Sequence, residues 1–379
     1  MTEGYDDIRP YHDDEVTDVI SDLLHDPELL TAMGRYRFPN LTRWFAPLSR
    51  KVIHTRLKKR FGEINDVDQL QLVLKPWVKR IIDQTMEGFT VDGLDKLDPN
   101  KTYLFMSNHR DIAMDPALIN YALVTQGFNT SRIGIGDNLL NKEYVSQLMR
   151  LNKSFVVKRS VQGRREKLDV FTQLSSYIRE SLHQGQHVWL AQKEGRAKDG
   201  LDKTDSAVLK MLHISGKKHG WSLQQSLNLL NIVPVSISYE WDPCDRAKAK
   251  ELAAIDDHGS YNKTKDEDFR SIVKGLQGRK GRVKVQFASP VKLESDLAED
   301  WCRVIDRRIY QGYELYPINF QACMQLYGEL PDQANSELLK SDGHLERRLS
   351  GLSETEQQHL LKAYSQPVLM KYEWAPHGI

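Results

Sequence analysis

Cysteine is scarce in this chain of 379 residues. Cys244, Cys302 and Cys323 are too few and too scattered for a disulfide framework or a zinc centre. An odd, sparse set fits a reducing compartment, and none of the three is assigned a catalytic role. Net charge is nearly absent too. The 53 Lys and Arg residues oppose 52 Asp and Glu, leaving +1 at neutral pH. No global field therefore favours nucleic acid, and any basic surface must be local. Long apolar runs are missing: none approaches the roughly 20 residues that cross a bilayer. The acidic stretch Met1 to Asp7 lacks the basic-then-apolar layout of a signal peptide. These absences predict a cytoplasmic protein without a transmembrane segment, free or peripheral on the cytoplasmic membrane face. There is also no Gly-x-Ser-x-Gly elbow, no Gly-x-x-x-x-Gly-Lys phosphate loop and no persuasive His-x-x-x-His or Cys/His ligand spacing. Neither a covalent serine intermediate, nor a nucleotide cradle, nor a metal site is expected.

What is present divides the chain into three. Residues 1–85 read as helical. Asp14 is placed as an N-cap before Val16, Val19, Ile20, Leu23 and Leu24, and a second helix opens at Asp26-Pro27. From Leu41 to Phe61, Trp44, Phe45, Leu48, Val52, Ile53, Leu57 and Phe61 recur at three- and four-residue intervals. Arg43, Arg50, Lys51, Arg56, Lys58, Lys59 and Arg60 fill much of the remainder. Pro47 starts or kinks this helix. Residues 41–61 therefore predict either a helix lying on an anionic membrane surface or one packed on its domain with a solvated basic face.

From residue 86 to 292 short apolar strands alternate with helices. Strands are expected at 89–93, 102–106, 132–135, 155–157, 187–191, 232–237 and 281–287, with Pro234 demoting its run to an edge or a bend. Helices are expected at 115–124, 143–151, 164–182, 206–216 and 267–276. That rhythm predicts an α/β domain whose sheet is at least partly parallel, with its site near strand C-terminal ends. The loop from Gly275 to Gly281 reads as a turn, and Arg164-Arg165 as a solvated helix start. Residues 293–379 read as a charged helical extension, with loops at Pro331 to Asn335 and Ser341 to Gly343.

One stretch carries the chemistry. The apolar run ending at Met106 gives way to Ser107-Asn108-His109, and a helical pattern opens near Asp115-Pro116. A histidine at the mouth of a buried strand, with Asp111 and Asp115 close behind, has the parts of a general base and its orienting carboxylate. Ser107 is a weaker candidate.

Asn108-His109 followed by a carboxylate resembles the first motif of the glycerolipid acyltransferases, which acylate glycerol 3-phosphate and lysophosphatidic acid. The likeness continues in order downstream. Phe155-Val156-Val157-Lys158-Arg159 looks like the second motif, Lys193-Glu194-Gly195-Arg196 like the third, and Val233-Pro234-Val235 like the fourth. The resemblance implies an acyltransferase-type domain with a mixed, partly parallel sheet flanked by helices. His109 would be the base, and Lys158, Arg159, Lys193 and Arg196 would hold the acceptor's phosphate. Glu194 would orient Arg196 or an acceptor hydroxyl, Gly195 would allow close backbone approach, and Val233 to Val235 would line the acyl pocket. It implies an acyl-CoA or acyl-carrier-protein donor, a lysophospholipid or glycerol phosphate acceptor with 1-acyl-glycerol 3-phosphate expected first, and no bound cofactor. The sequence departs from the pattern once in spacing. The family's aspartate position falls on Met114, so Asp115 or Asp111 must serve, and Asp115 has the proline and apolar helix after it. Met114 also leaves open a catalytically silent lipid- or carrier-binding protein. An acyltransferase for a different acceptor, such as an amino-lipid, is the third reading.

Overall fold

The computed structural model describes residues 4–161, 163–264, 266–334, 339, 343–373 and 375–376. Seven strands are present: β1 (Met86–Asp92), β2 (Leu104–Ser107), β3 (Arg132–Gly136), β4 (Ser154–Val157), β5 (Val188–Ala191), β6 (Ile232–Tyr239) and β7 (Gly281–Phe287). Every expected strand is found, with ends shifted by a few residues. The chain forms two compact units, residues 1–77 with 131–177, and residues 78–130 with 178–379.

These units do not follow the expected boundaries at 85 and 292. In the first, Val16, Val19, Leu23 and Leu70 share a core with Tyr144 and Leu151. The parallel pair β3–β4 therefore belongs with the N-terminal helices. In the second, Trp241 and Ala249 share a core with Tyr316, Leu345, Leu361 and Tyr364. Residues beyond 292 thus share a core with the larger unit. Of the expected loops there, Pro331 to Ala334 has no helix or strand, while Asn335, Ser341 and Asp342 lie outside the described residues.

In the larger unit the strand order is β1-β7-β6-β2-β5. β2 runs parallel to β5 and β6, β1 runs parallel to β7, and β7 is antiparallel to β6. The sheet is mixed and mostly parallel, flanked by helices such as Met114–Thr125 against β7 and Ala298–Gln311 against β6. All four residues of β2 are buried, the continuous apolar run of a strand covered on both faces. Its last residue, Ser107, pairs with Ala191 of β5 and Val235 of β6, so three parallel strands deliver their ends to one place.

Two expectations are corrected here. Pro234 lies in a central strand, not at an edge. Its carbonyl accepts from the Ala288 backbone, so its missing donor faces the β7 side, where that ladder ends at Val235–Phe287. No ladder bond is lost, which removes the usual objection to an internal proline. The first helix, Asp13–His25, is capped by His12 in a capping box with Glu15, leaving Asp14 inside the first turn. The helix Pro27–Arg37 does begin with Asp26 as its cap.

One long helix escaped the sequence reading: Asp245–His258, whose buried residues are Asp245, Lys248, Ala249, Glu251 and Ala253. A helix that buries charges and alanines has no apolar stripe to detect.

Candidate active site

The end of β2 is fixed before any site residue is reached. Asn108 is fully buried; its side-chain oxygen accepts from the Ile237 backbone at 2.8 Å and its amide donates to the Ile237 carbonyl at 3.0 Å. This two-way bond ties the turn to β6. Ser107 is equally buried, its hydroxyl donating to the Asn108 carbonyl and accepting from the Trp189 indole. It is a structural residue, not a nucleophile presented to a substrate.

His109 follows, only 14% exposed at its side chain, with the Trp189 ring edge-on against it at 5.7 Å between centroids. Its Nδ1 lies 2.8 Å from Asp115 Oδ2. A carboxylate can only accept there, so Nδ1 carries the proton and Nε2 the lone pair. The same oxygen accepts from the backbone of Arg110 at 2.6 Å and of Asp111 at 2.9 Å. The extra residue before Asp115 is thus absorbed by a turn wrapped around its own carboxylate. Met114 is completely buried at the helix start. Asp115, and not Met114, is therefore the residue whose carboxylate meets the imidazole.

Asp111 is placed differently. Its Oδ1 accepts from the backbones of Ala113 and Met114, supporting the start of the helix Met114–Thr125. Its other side presses on Gly275, where any Cβ would collide with the carboxylate. Burial, reinforced by Asp115, pushes its pKa upward. Asp111 builds the turn, and Asp115 meets the imidazole.

Around the turn stands a layer of buried charge that the sequence reading missed. Asp202 Oδ2 accepts from Arg110 at 2.6 Å, from Asn108 at 3.1 Å and from Tyr313 at 2.6 Å. Lys248 donates to the Arg110 carbonyl at 2.7 Å and pairs with Asp242. Burial would raise Asp242, but the Lys248 ammonium holds it below the ordinary carboxylate value. Tyr239, the last residue of β6, donates its hydroxyl to Asp115 Oδ1 at 2.7 Å. Burial first, then the negative charge of Asp115, drives the Tyr239 pKa far above its usual value, so the phenol stays protonated. A cavity of about 50 Å³ adjoins Arg110, Tyr239 and Lys248, room for water rather than substrate. No sequence signal marked these partners, because hydrophobic periodicity says nothing of paired polar groups.

The third-motif segment docks on this turn. The Ala197 backbone donates to the His109 carbonyl at 2.9 Å, and Arg110 reaches the Gly200 carbonyl at 3.1 Å. Lys193 is spent on the Leu201 carbonyl at 2.8 Å, closing the loop rather than projecting from it. Glu194 is exposed. Gly195 has φ of 75° with open space where a side chain would stand, so conformation and not crowding selects glycine. Arg196 is half-buried and has no hydrogen bond or ion pair with the described residues.

The second-motif pair belongs to the other unit. Lys158 is ion-paired with Asp7, and the Arg159 guanidinium lies where a Cβ on Gly136 would have to be. Val233, Pro234 and Val235 are buried between β2 and β7, supplying core; the part of β6 that reaches the site is Ile237 to Tyr239.

Known proteins resemble this chain over the stretch that holds this geometry. Residues 88–238 match the family model described as Acyltransferase. Over that stretch the chain is similar to an acyltransferase domain. Among curated relatives, the glycerol-3-phosphate acyltransferase of Pseudomonas fluorescens (strain SBW25) is 27% identical over 235 residues, 61% of this chain and 26% of that protein. The enzyme of the same name from Xylella fastidiosa (strain M23) is 26% identical over 213 residues, 55% of this chain and 23% of that one. The match thus spans about a quarter of these longer relatives. A solved structure, the 1-acyl-sn-glycerophosphate (LPA) acyltransferase PlsC from Thermotoga maritima, aligns with a TM-score of 0.38 and 14% identity, covering 74% of this chain and 92% of that one. The matched stretch contains His109, Asp115 and the third-motif loop, and ends at Ser238. Tyr239 lies one residue past it. No helix among the described residues is long and apolar enough to cross a membrane.

Proposed function

We propose that this protein moves a fatty acyl group from a thioester donor, acyl-CoA or acyl carrier protein, to a hydroxyl of a glycerol phosphate acceptor in phospholipid synthesis. The acceptors meant are 1-acyl-glycerol 3-phosphate and glycerol 3-phosphate itself, which share a phosphate and a free hydroxyl. The observation that carries the reading is the His109–Asp115 contact at 2.8 Å, with the carboxylate held by further donors at the end of a buried strand.

The chemistry follows from that contact. Asp115 keeps the proton on Nδ1, so Nε2 accepts the proton of the attacking hydroxyl. The hydroxyl oxygen bonds to the thioester carbonyl carbon, and the tetrahedral adduct collapses with rupture of the carbon–sulfur bond. The imidazolium returns its proton to the departing thiolate, leaving an ester and a free thiol. Arg196, with no other bonded partner among the described residues, is the cation best placed to hold the acceptor phosphate.

Residues 35–61 add a membrane-surface role. Tyr36, Trp44, Phe45 and Leu48 are 65%, 72%, 62% and 52% exposed, among exposed cations that include Arg37, Arg43, Lys51 and Arg56. Gly34 explains the arrangement: any side chain there would strike Ser49 and Thr42, so the helices Pro27–Arg37 and Ala46–Phe61 meet through small residues. The large side chains face outward. Aromatic groups among cations suit the headgroup region of an anionic bilayer.

The test is thiol release from acyl-CoA and from acyl carrier protein, each offered glycerol 3-phosphate, 1-acyl-glycerol 3-phosphate, and a lysophospholipid lacking a free phosphomonoester. Release that depends on a phosphate acceptor is expected, and the preferred acceptor and donor are read from the same matrix. Release independent of any acceptor, or none at all, overturns the assignment.

A further inference from the structure

The Asp115 carboxylate receives four donors, and one of them comes from far outside its own turn. His109 Nδ1 and the backbones of Arg110 and Asp111 all converge on Oδ2. Oδ1 has a different partner, the hydroxyl of Tyr239, 124 residues away in sequence. The division matters because a carboxylate rotates easily about its last bond. Three donors crowded on one oxygen locate that oxygen but leave the plane of the group free to turn. A donor on the second oxygen sets the plane, and with it the direction in which the imidazole is held.

Tyr239 is placed by the sheet rather than by the loop. It is the last residue of β6 and pairs across the antiparallel ladder with Val283. Two residues earlier the same strand grips Asn108 through both backbone groups of Ile237. One strand therefore anchors the turn at its entrance and at its exit. The turn itself supplies donors to Oδ2 alone, and the donor to Oδ1 comes from the strand.

We propose that Tyr239 is a positioning residue of the acyl-transfer site, acting through Asp115 on the orientation and basicity of His109. The inference rests on the acyl-transfer reading above. The hydroxyl draws off part of the negative charge on Asp115. Without it the carboxylate would pull harder on the imidazolium and raise its pKa. Other charged groups facing the pair are Arg110 and Asp111 on the turn and Asp242 just beyond β6. Behind them, Lys248 of the helix Asp245–His258 faces Asp242, and Lys280, just before β7, faces Asp111 and Asp242. All are left intact by a change at Tyr239.

The experiment is Tyr239→Phe in the full chain, with kcat, both KM values, the pH profile of kcat/KM, and the His109 imidazole titration followed by nitrogen NMR. A hydrogen bond to a charged group supports a fall in kcat of roughly ten- to a hundredfold. KM values should stay near the parent's, and the acidic limb and the imidazole titration should move together to higher pH. A folded variant with unchanged kcat and an unmoved titration overturns the inference. Should Tyr239→Phe not fold, 3,5-difluorotyrosine at position 239 keeps the shape and strengthens the donor. The titration is then expected to move to lower pH, and no movement overturns the proposal. A parent without acyl transfer defeats the functional reading instead, and the imidazole titration still decides whether Tyr239 acts on His109.

Discussion

The two units use positive charge in opposite ways. Around the His109 turn, Lys248 and Lys280 are buried, Arg110 is nearly so, and all three are bonded: Arg110 to Asp202, Lys248 to Asp242 and the Arg110 carbonyl, Lys280 to Thr85 and the Gly278 carbonyl. Along residues 35–60, Arg37, Arg43, Lys51, Arg56, Lys58 and Lys59 stand in solvent with no ion pair among the described residues. Arg37 and Arg56 lie over the Phe38 ring and Arg43 over Trp44. A buried cation costs desolvation and persists only where its bonds are all made, so it fixes geometry. An exposed cation costs nothing to keep and fixes nothing, but it is available to a partner. The first group is architecture, and the second is an exposed basic surface.

The sharpest break falls on the group that the architecture serves. His109→Ala should lower acyl transfer by roughly 10² to 10⁴, the usual worth of a general base, while thermal unfolding stays near the parent's. Equal activity in the variant would remove the base from the mechanism.

Next comes the cost of a buried cation. Burial lowers the Lys280 pKa to about 8 from an ordinary value of 10.5. Below pH 8 both folded and unfolded chains hold this proton and the full penalty applies. Between pH 8 and 10.5 only the unfolded chain holds it, so stability rises with pH across that window. Relative to Lys280→Met, the parent should gain about 3 kcal/mol over those pH values. Denaturant titrations of both proteins at pH 7.5 and 10 would show it. A constant difference would mean that Lys280 stays charged in the fold.

The exposed cations should behave in the contrary manner. Arg43→Ala with Lys51→Ala removes two charges that contribute about 1 kcal/mol each near an anionic surface, so vesicle affinity should fall roughly thirtyfold. Stability should stay within about 0.5 kcal/mol of the parent. Co-sedimentation with anionic and neutral vesicles separates the cases, and equal binding to both kinds would end the membrane-surface proposal.

The smallest effect separates the two carboxylates. Asp111→Asn keeps an oxygen for the Ala113 and Met114 backbones, so stability should change by about 1 kcal/mol or less. Acyl transfer should change far less than in Asp115→Asn. The reverse ranking would make Asp111 the imidazole's partner in turnover.

Much of the molecule follows from local pattern. The buried run ahead of His109, the alternation of strands with helices and the capped start at Asp26 are all encoded by neighbours in sequence, through apolar periodicity and turn chemistry. That was enough to place a histidine at a strand end and to nominate two carboxylates behind it. It could not choose between them, because the extra residue before Asp115 is absorbed by a turn whose backbone donors are invisible to spacing rules. Nor could it find Tyr239 or Asp202, which meet the turn across 124 and 94 residues. The helix carrying Lys248 hid for a related reason, since it buries charge where a pattern search looks for apolar side chains. Sequence alone determined which strand ends at the turn and which histidine stands there. Tertiary structure decided which carboxylate aims that base, that a proline strand could be central, and which distant polar groups hold the turn, because buried hydrogen bonds are made between elements and leave no periodic trace within one.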